Sequence, residues 1–383
     1  MRDKTAPMET ELEGIWLARP DPVPAEGVSL AVKDLFDTAG LPTTYGSILF
    51  AEHVPARSAD VVVRLERAGY ANVGKTNLHE FAYGVTSQNP HFGTVPNPIA
   101  PGRIAGGSSG GSAAALAAHL ADAALGSDSG GSIRIPAACC GVVGLKPTYG
   151  LVPLDGCFPL APTFDHAGPM ARSVAECTRM LTALVPDFRP TGRPPSAGRV
   201  GLAWDDRCRP LVAERLREAA ELLDARPVDF ALPHGLGNAF MGEVADVHRD
   251  LFADGADQYG ATVRTKIERC LALTDAEIGA SQRARTEYAE HAAEAFSDLD
   301  LLLVPTLAFV APPLPESELD VRDEIIQFTF PFNALGWPAL ALPIGPAEDG
   351  LPASAQLVGR PGDDALVLAV GELLEASLRR GTP

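Results

Sequence analysis

In a chain of 383 residues, 49 acidic side chains against 31 basic ones give a formal charge of −18. That balance repels phosphate backbones and offers no counterion release, which argues against nucleic acid as a partner. With 46% hydrophobic and 21% charged residues, the chain has enough apolar material for a large core and falls outside the disordered and fibrous classes.

Taken in chain order, the N-terminal stretch MRDKTAPMETELEG is polar and has no apolar run of the kind that directs export. Val28 to Val32 reads as a buried strand. Asp60 to Ala68 carries apolar residues at helical spacing and is closed by Gly69, after which Tyr70 to Val73 reads as a strand. Helices are expected over Ser112–Leu120, Val174–Leu184, Leu211–Leu223 and Ala365–Leu378, and strands over Val200–Ala203, Leu301–Val304, Ala339–Pro343 and Ala355–Val358. Strand and helix patterns interleave throughout, which points to α/β architecture: a single domain over 1–383 with one mixed sheet covered by helices on both faces. Within it, 27–172 forms a core, 185–299 is the least patterned stretch and reads as a variable segment or lid, and 300–383 completes the same domain. The longest apolar stretch, Ala113 to Leu125, is interrupted by His119 and Asp122, so no membrane span is expected and the chain reads as cytoplasmic. The six cysteines show no CxxC pair and no zinc-ligand spacing, so no metal is expected and buried thiols are their reading.

Two glycine/serine loops carry the chemical signal. The first is Gly106-Gly107-Ser108-Ser109-Gly110-Gly111-Ser112, and the second is Ser127-Asp128-Ser129-Gly130-Gly131-Ser132-Ile133-Arg134. Glycine lets bare backbone N–H groups converge on one point, which is how an anion or oxyanion site is built. Two flexible turns are the plainer alternative, but paired glycines before a serine in both loops, with an alanine-rich helix between, favour a site. The first loop satisfies G-x-S-x-G at Ser108 and again at Ser109, yet Asn97 to Arg103 before it is a poor strand for a nucleophile elbow. Gly69 to Thr76 matches the phosphate-loop pattern G-x-x-x-x-G-K-[ST], but Tyr70 to Val73 looks like a strand where that pattern needs a loop. Only five of the 31 basic residues are lysines, and Lys33, Lys75 and Lys146 lie in apolar or glycine-rich surroundings. Lys33, at the end of a buried strand, is either a base whose amine is neutral near pH 7 or a lysine satisfied by Asp34 or by carbonyls.

Together, Val32-Lys33-Asp34, Gly74-Lys75-Thr76-Asn77 with Glu80-Phe81, Gly106 to Ser112, Asp128 to Arg134 and Gly144-Leu145-Lys146-Pro147-Thr148 resemble the amidase signature family. The likeness runs from about Gly27 to Arg172 and resumes more weakly at Leu301 to Thr306, Asn333 and Gly336-Trp337-Pro338-Ala339. It implies a triad of Lys33 as base, Ser108 as bridge behind a cis peptide from Gly107, and Ser132 as nucleophile. It also implies an oxyanion hole from the backbone N–H groups of Ser129, Gly130, Gly131 and Ser132, with Asp128 and Arg134 bracing the loop and Gly107 supporting the bridge.

The activity so implied is cofactor-free, metal-free hydrolysis of a small-molecule amide to acid and ammonia or amine, through an acyl-enzyme on Ser132. The partner would be the substrate alone, with no nucleic acid or membrane, and the chain would be a monomer or homodimer. Two alternatives from the same family are a glutaminase (A) subunit of a tRNA-dependent amidotransferase and a carbamate or ester hydrolase. Relative to the family, the chain before Lys33 and the region from Leu184 to Leu301 are brief, which speaks against the amidotransferase reading. Phe158, Phe164, Phe332 and Trp337 are candidates for an apolar pocket wall or for core packing, and the histidines, His79 and His166 included, receive no role.

Overall fold

The computed structural model describes residues 12–191 and 199–381. Its strands are β1 (Trp16–Ala18), β2 (Val28–Lys33), β3 (Tyr70–Thr76), β4 (Gln88–Asn89), β5 (Gly93–Thr94), β6 (Ala123–Asp128), β7 (Val143–Lys146), β8 (His166–Ala171), β9 (Val200–Leu202), β10 (Arg226–Pro227), β11 (Leu301–Pro305), β12 (Ala339–Pro346) and β13 (Pro352–Val358). Eleven of them form one sheet in the order β1-β3-β2-β6-β8-β7-β12-β13-β11-β9-β10, while β4 and β5 form a separate hairpin. Parallel neighbours at β3-β2-β6 and β11-β9-β10 are joined by antiparallel ones between, so the sheet is mixed. The α/β class expected from the alternating pattern is what the chain adopts.

Successive strand residues point to opposite faces, and the packing follows that rule. Leu30 and Val32 of β2, Ala123 and Leu125 of β6, and Leu340 and Leu342 of β12 pack with helices Asp60–Arg67, Val174–Leu184, Pro210–Leu222 and Asp364–Gly381 on one face. Ala31, Ala124 and Ala341 face the other way, onto helices Gly110–Ala117 and Arg134–Cys140. The alanines on that second face let the helix that follows Ser108 lie close to the sheet. Gly111 and Gly126 serve the same approach: a Cβ on Gly111 would sit 2.4 Å from the Asn77 carbonyl oxygen, and one on Gly126 2.9 Å from Ile133.

Most expected elements are present with small end shifts. The expected helix Ser112–Leu120 runs from Gly110 to Ala117, and the alanine-rich stretch after it is strand β6, buried along its whole length. Between 185 and 299 the structure adds β9 and β10 to the sheet and packs three helices, Gly237–Gly255, Ala261–Leu271 and Asp275–Ala295, against the loops in front of it. All six cysteines are free thiols, Cys157 and Cys208 only half-buried. No helix among the described residues is long and apolar enough to cross a membrane.

Candidate active site

Parallel strands β3, β2 and β6 end side by side, and the reactive groups gather at their C-terminal ends. Lys33, the last residue of β2, is fully buried. Its Nζ lies 2.6 Å from Ser108 Oγ and 2.7 Å from Ser127 Oγ. Burial disfavours the ammonium more than the nearby charges of Asp128 and Asp165 support it, and brings the amine down to about 7. Asp34, the alternative partner for Lys33, is taken elsewhere: its carboxylate lies 2.9 Å from Lys75 Nζ, and Lys75 also donates to the Phe36 carbonyl and Thr43 Oγ1. Lys75 belongs to strand β3, so the phosphate-loop pattern here has no loop.

Ser108 follows a cis peptide from Gly107, as the resemblance implies. A Cβ on Gly107 would stand 2.9 Å from the backbone nitrogens of Thr86 and Ser87. The Ser108 carbonyl accepts from the His79 N–H at 3.2 Å and from Ser87 Oγ at 3.3 Å. Ser109 is turned to structural work: its Oγ donates to the Ser127 carbonyl and its N–H to the Ser132 carbonyl. The two glycine/serine loops are therefore tied together through Ser109, so the elbow pattern centred on Ser109 serves packing.

The second loop is shaped by Asp128 at the end of β6. Its carboxylate accepts from the backbone N–H groups of Gly131 at 2.8 Å and Ile133 at 3.1 Å, from Arg134 Nε and Nη2 at 3.0 Å, and from Asn333 Nδ2 at 2.8 Å. Burial opposes its charge, but the Arg134 guanidinium and these donors hold the carboxyl well below the usual carboxylate range. Arg134, itself fully buried, continues to Gln356 Oε1 at 2.9 Å and Asn333 Oδ1 at 2.6 Å. Gly131 adopts φ +126°, and a Cβ there would fall 2.3 Å from Thr329 Oγ1, whose hydroxyl donates to the Gly130 carbonyl at 2.7 Å.

This bracing corrects one expectation. The N–H of Gly131 is committed to Asp128 and so is not a free oxyanion donor, because the tight turn that presents the loop needs an internal acceptor. The N–H groups of Ser129, Gly130 and Ser132 donate no hydrogen bond among the described residues. The Ser132 side chain is almost buried, and among the described residues its Oγ makes no hydrogen bond to Ser108.

The cleft in front of Ser132 is narrow, about 30 Å³, and is lined by Tyr83, Val85, Leu160, Phe240, Arg322, Ile326 and Phe330 beside the glycine loop. None of the four aromatic residues proposed from sequence lines it. Phe332 and Trp337 pack in the core with Trp204, Phe230 and Phe296, and Phe158 joins Tyr45, Phe50 and Phe81. Phe164 stacks behind Phe330 at 5.8 Å.

Several groups that shape the site carried no signal in sequence. Asp165 accepts from Ser129 Oγ at 2.6 Å and from the N–H groups of Leu160 and Ala161, fixing the loop's entry. His166 Nδ1 faces two carbonyls, Phe164 at 2.7 Å and Asp128 at 3.2 Å, so it carries the proton there and Nε2 accepts from Lys146 at 3.2 Å. Ser127 was visible inside the second loop, but only the register of β6 beside β2 reveals that it touches Lys33.

A sequence model of the family described as Amidase matches residues 17–198 and 234–368. The chain belongs to the amidase family. Amidase-family chemistry is hydrolytic cleavage of C–N bonds, and the serine and lysine positions described above fall within the first matched block. Among curated relatives, the chain is 35% identical to the A subunit of the glutamyl-tRNA(Gln) amidotransferase from Chloroflexus aurantiacus, covering 91% of this chain and 82% of that one. Among solved structures, a crystal structure of an amidase is 36% identical with a TM-score of 0.84, covering 91% of this chain and 84% of that one. A 6-aminohexanoate cyclic dimer hydrolase complexed with substrate is 29% identical with a TM-score of 0.81, covering 92% and 85%.

Proposed function

We propose that the chain hydrolyses a carboxamide through an acyl-enzyme on Ser132, with Ser108 and Lys33 as its proton relay. The observation that carries this reading is the contact of 2.6 Å between a fully buried Lys33 amine and Ser108 Oγ. An amine brought to about 7 is substantially neutral at that pH, and a neutral amine has a lone pair to accept the Ser108 proton while an N–H donates to Ser127.

As Ser132 Oγ attacks the amide carbon, its proton passes to Ser108 Oγ and the Ser108 proton passes to Lys33. Substrate carbonyl oxygen becomes an oxyanion held by the free N–H groups of Ser129, Gly130 and Ser132. When the tetrahedral intermediate collapses, the C–N bond breaks and the relay runs backwards, so that Ser108 delivers a proton to the leaving nitrogen. Water then attacks the ester by the same path and releases the acid. The relay requires the Ser132 hydroxyl to turn toward Ser108 as substrate binds; catalytic hydrogen bonds commonly tighten only in the substrate complex. Activity toward a panel of primary amides, anilides, carbamates and esters, lost in Ser132→Ala, Ser108→Ala and Lys33→Ala, is the expected result. Undiminished turnover in Ser132→Ala would overturn the mechanism.

For the physiological amide, the curated relatives support the glutaminase (A) subunit of a tRNA-dependent amidotransferase over the stand-alone amidase placed first from sequence. On that reading the chain works beside partner subunits, and tRNA enters through the assembly. One observation favours the stand-alone amidase: among the described residues, no carboxylate lines the cleft at Ser132 to receive the α-ammonium of glutamine. Glutaminase activity that appears only when amidotransferase partner subunits are added supports the first reading; efficient hydrolysis of simple amides by the purified chain supports the second.

A further inference from the structure

Arg322 is the one charged side chain lining the cleft at Ser132 among the described residues. Behind the wall residues Tyr83 and Val85 lie a second cation, Lys266, and a buried carboxylate, Glu318. Lys266 is fully used: its Nζ lies 2.8 Å from Glu318 Oε2, donates to the Tyr83 carbonyl and stands over the Tyr83 ring at 4.7 Å. Glu318 is used as well, since its Oε1 accepts from the Val85 N–H at 3.3 Å. The Arg322 charge acts on Glu318 through space, but with both Glu318 oxygens taken by Lys266 and Val85 no hydrogen bond from Arg322 reaches it.

The hydrogen-bond partner of Arg322 among the described residues is Asp323, 3.4 Å away with a side chain 96% exposed. An ion pair so open to solvent is screened and holds the guanidinium weakly. Beside the glycine loop the remaining wall is apolar or aromatic, and the other buried acid near it, Asp165, is occupied by Ser129 and two backbone N–H groups. A cation facing a narrow apolar cleft, with spare donors in a planar fork, matches a carboxylate at the far end of a short acyl chain.

We propose that Arg322 sets substrate specificity at this site, and that the preferred substrates are amides whose acyl part ends in a carboxylate and carries no ammonium group. The proposal rests on the amidase reading above and narrows it to half-amides of dicarboxylic acids. It places glutaramate ahead of glutamine, because an added ammonium meets Arg322 and finds no acid on the wall.

The test compares kcat/KM of the full chain for glutaramate, glutamine and pentanamide. One charge-assisted contact corresponds to a preference of roughly ten- to hundredfold for glutaramate over pentanamide, expressed mainly in KM. In Arg322→Leu this ratio collapses toward unity, and in Arg322→Lys part of it is kept. A wild type that does not discriminate between the two amides, that prefers glutamine to glutaramate, or whose preference survives Arg322→Leu overturns the proposal. Failure of the parent reading is seen separately: Ser132 would then neither hydrolyse any of the three amides nor react with a fluorophosphonate probe. In that event calorimetry with glutarate still decides the role of Arg322, with binding expected in the wild type and lost in Arg322→Leu; no binding to the wild type overturns it.

Discussion

From Val28 to Ala171, buried charges decide where each reactive atom sits; in the helices between Gly237 and Ala295, rings decide the shape of the space in front of them. Lys33, Asp128, Arg134 and Asp165 are all nearly or fully buried, and each is fixed by two or more hydrogen bonds to the strand ends and loops around it. Phe240, from the second region, meets Phe164 edge-on at 5.4 Å and Phe330 edge-on at 5.9 Å. Hydrogen bonds to buried charges are directional and costly to leave unmade, whereas ring contacts tolerate displacement. The first region is thereby suited to holding a mechanism constant and the second to fitting different acyl groups.

Substitutions can break that contrast, and the largest effect belongs to the nucleophile. Ser132→Ala should lower kcat by about 10⁴-fold or more while leaving the melting temperature near that of the wild type. Next comes Lys33→Ala, for which a loss of about 10³-fold is expected in steady-state assays. Because Lys33 acts as a base, it is competent when unprotonated. Wild-type kcat/KM should therefore rise with pH through about 7 and level off above it, and a profile flat from acid to alkaline pH would remove Lys33 from the relay. Lys33→Arg, permanently charged, should not restore activity.

Arg134→Leu strands the Asp128 carboxylate without its counter-charge. Unfolding in denaturant should show a loss of about 3–5 kcal/mol, together with poor activity in whatever remains folded. The smallest effect sharpens the contrast from the other side. Phe240→Leu should cost less than about 1.5 kcal/mol and alter KM across an acyl-chain series by a few-fold, with kcat nearly constant. A large drop in kcat there would mean that the helical region takes part in the chemistry.

Ser108 and Ser132 were legible as candidates because the two loops that carry them are dense runs of glycine and serine, whereas Lys33, at the end of strand β2, stood out only through the family resemblance. Asp165, Thr329 and Gln356 were not legible, since each is an ordinary polar residue until the sheet order brings β8, β12 and β13 beside β6 and β7, and Asn333 showed only as part of the weaker resemblance, without its place beside Asp128 and Arg134. Strands β2, β3, β11 and β12 showed as apolar runs, but β6 was masked by its alanines, which read equally well as helix. The helix Asp275–Ala295 gave little periodicity because the residues it buries are Ser281, Tyr288 and Ala292, a serine among them. Phe158, Phe164, Phe332 and Trp337 illustrate a different limit: an aromatic residue near a motif in sequence says nothing of whether its ring faces the cleft or lies a layer behind it.

The reach of Arg134 has a consequence for the growing chain. The reactive loop is complete within the first 134 residues, yet the guanidinium that stiffens it leans on Asn333 and Gln356, which leave the ribosome more than half a chain later. A nascent polypeptide therefore carries Ser132 through most of translation before the loop around it has its full support, and products of premature termination are born without the Arg134 contacts that stiffen that loop.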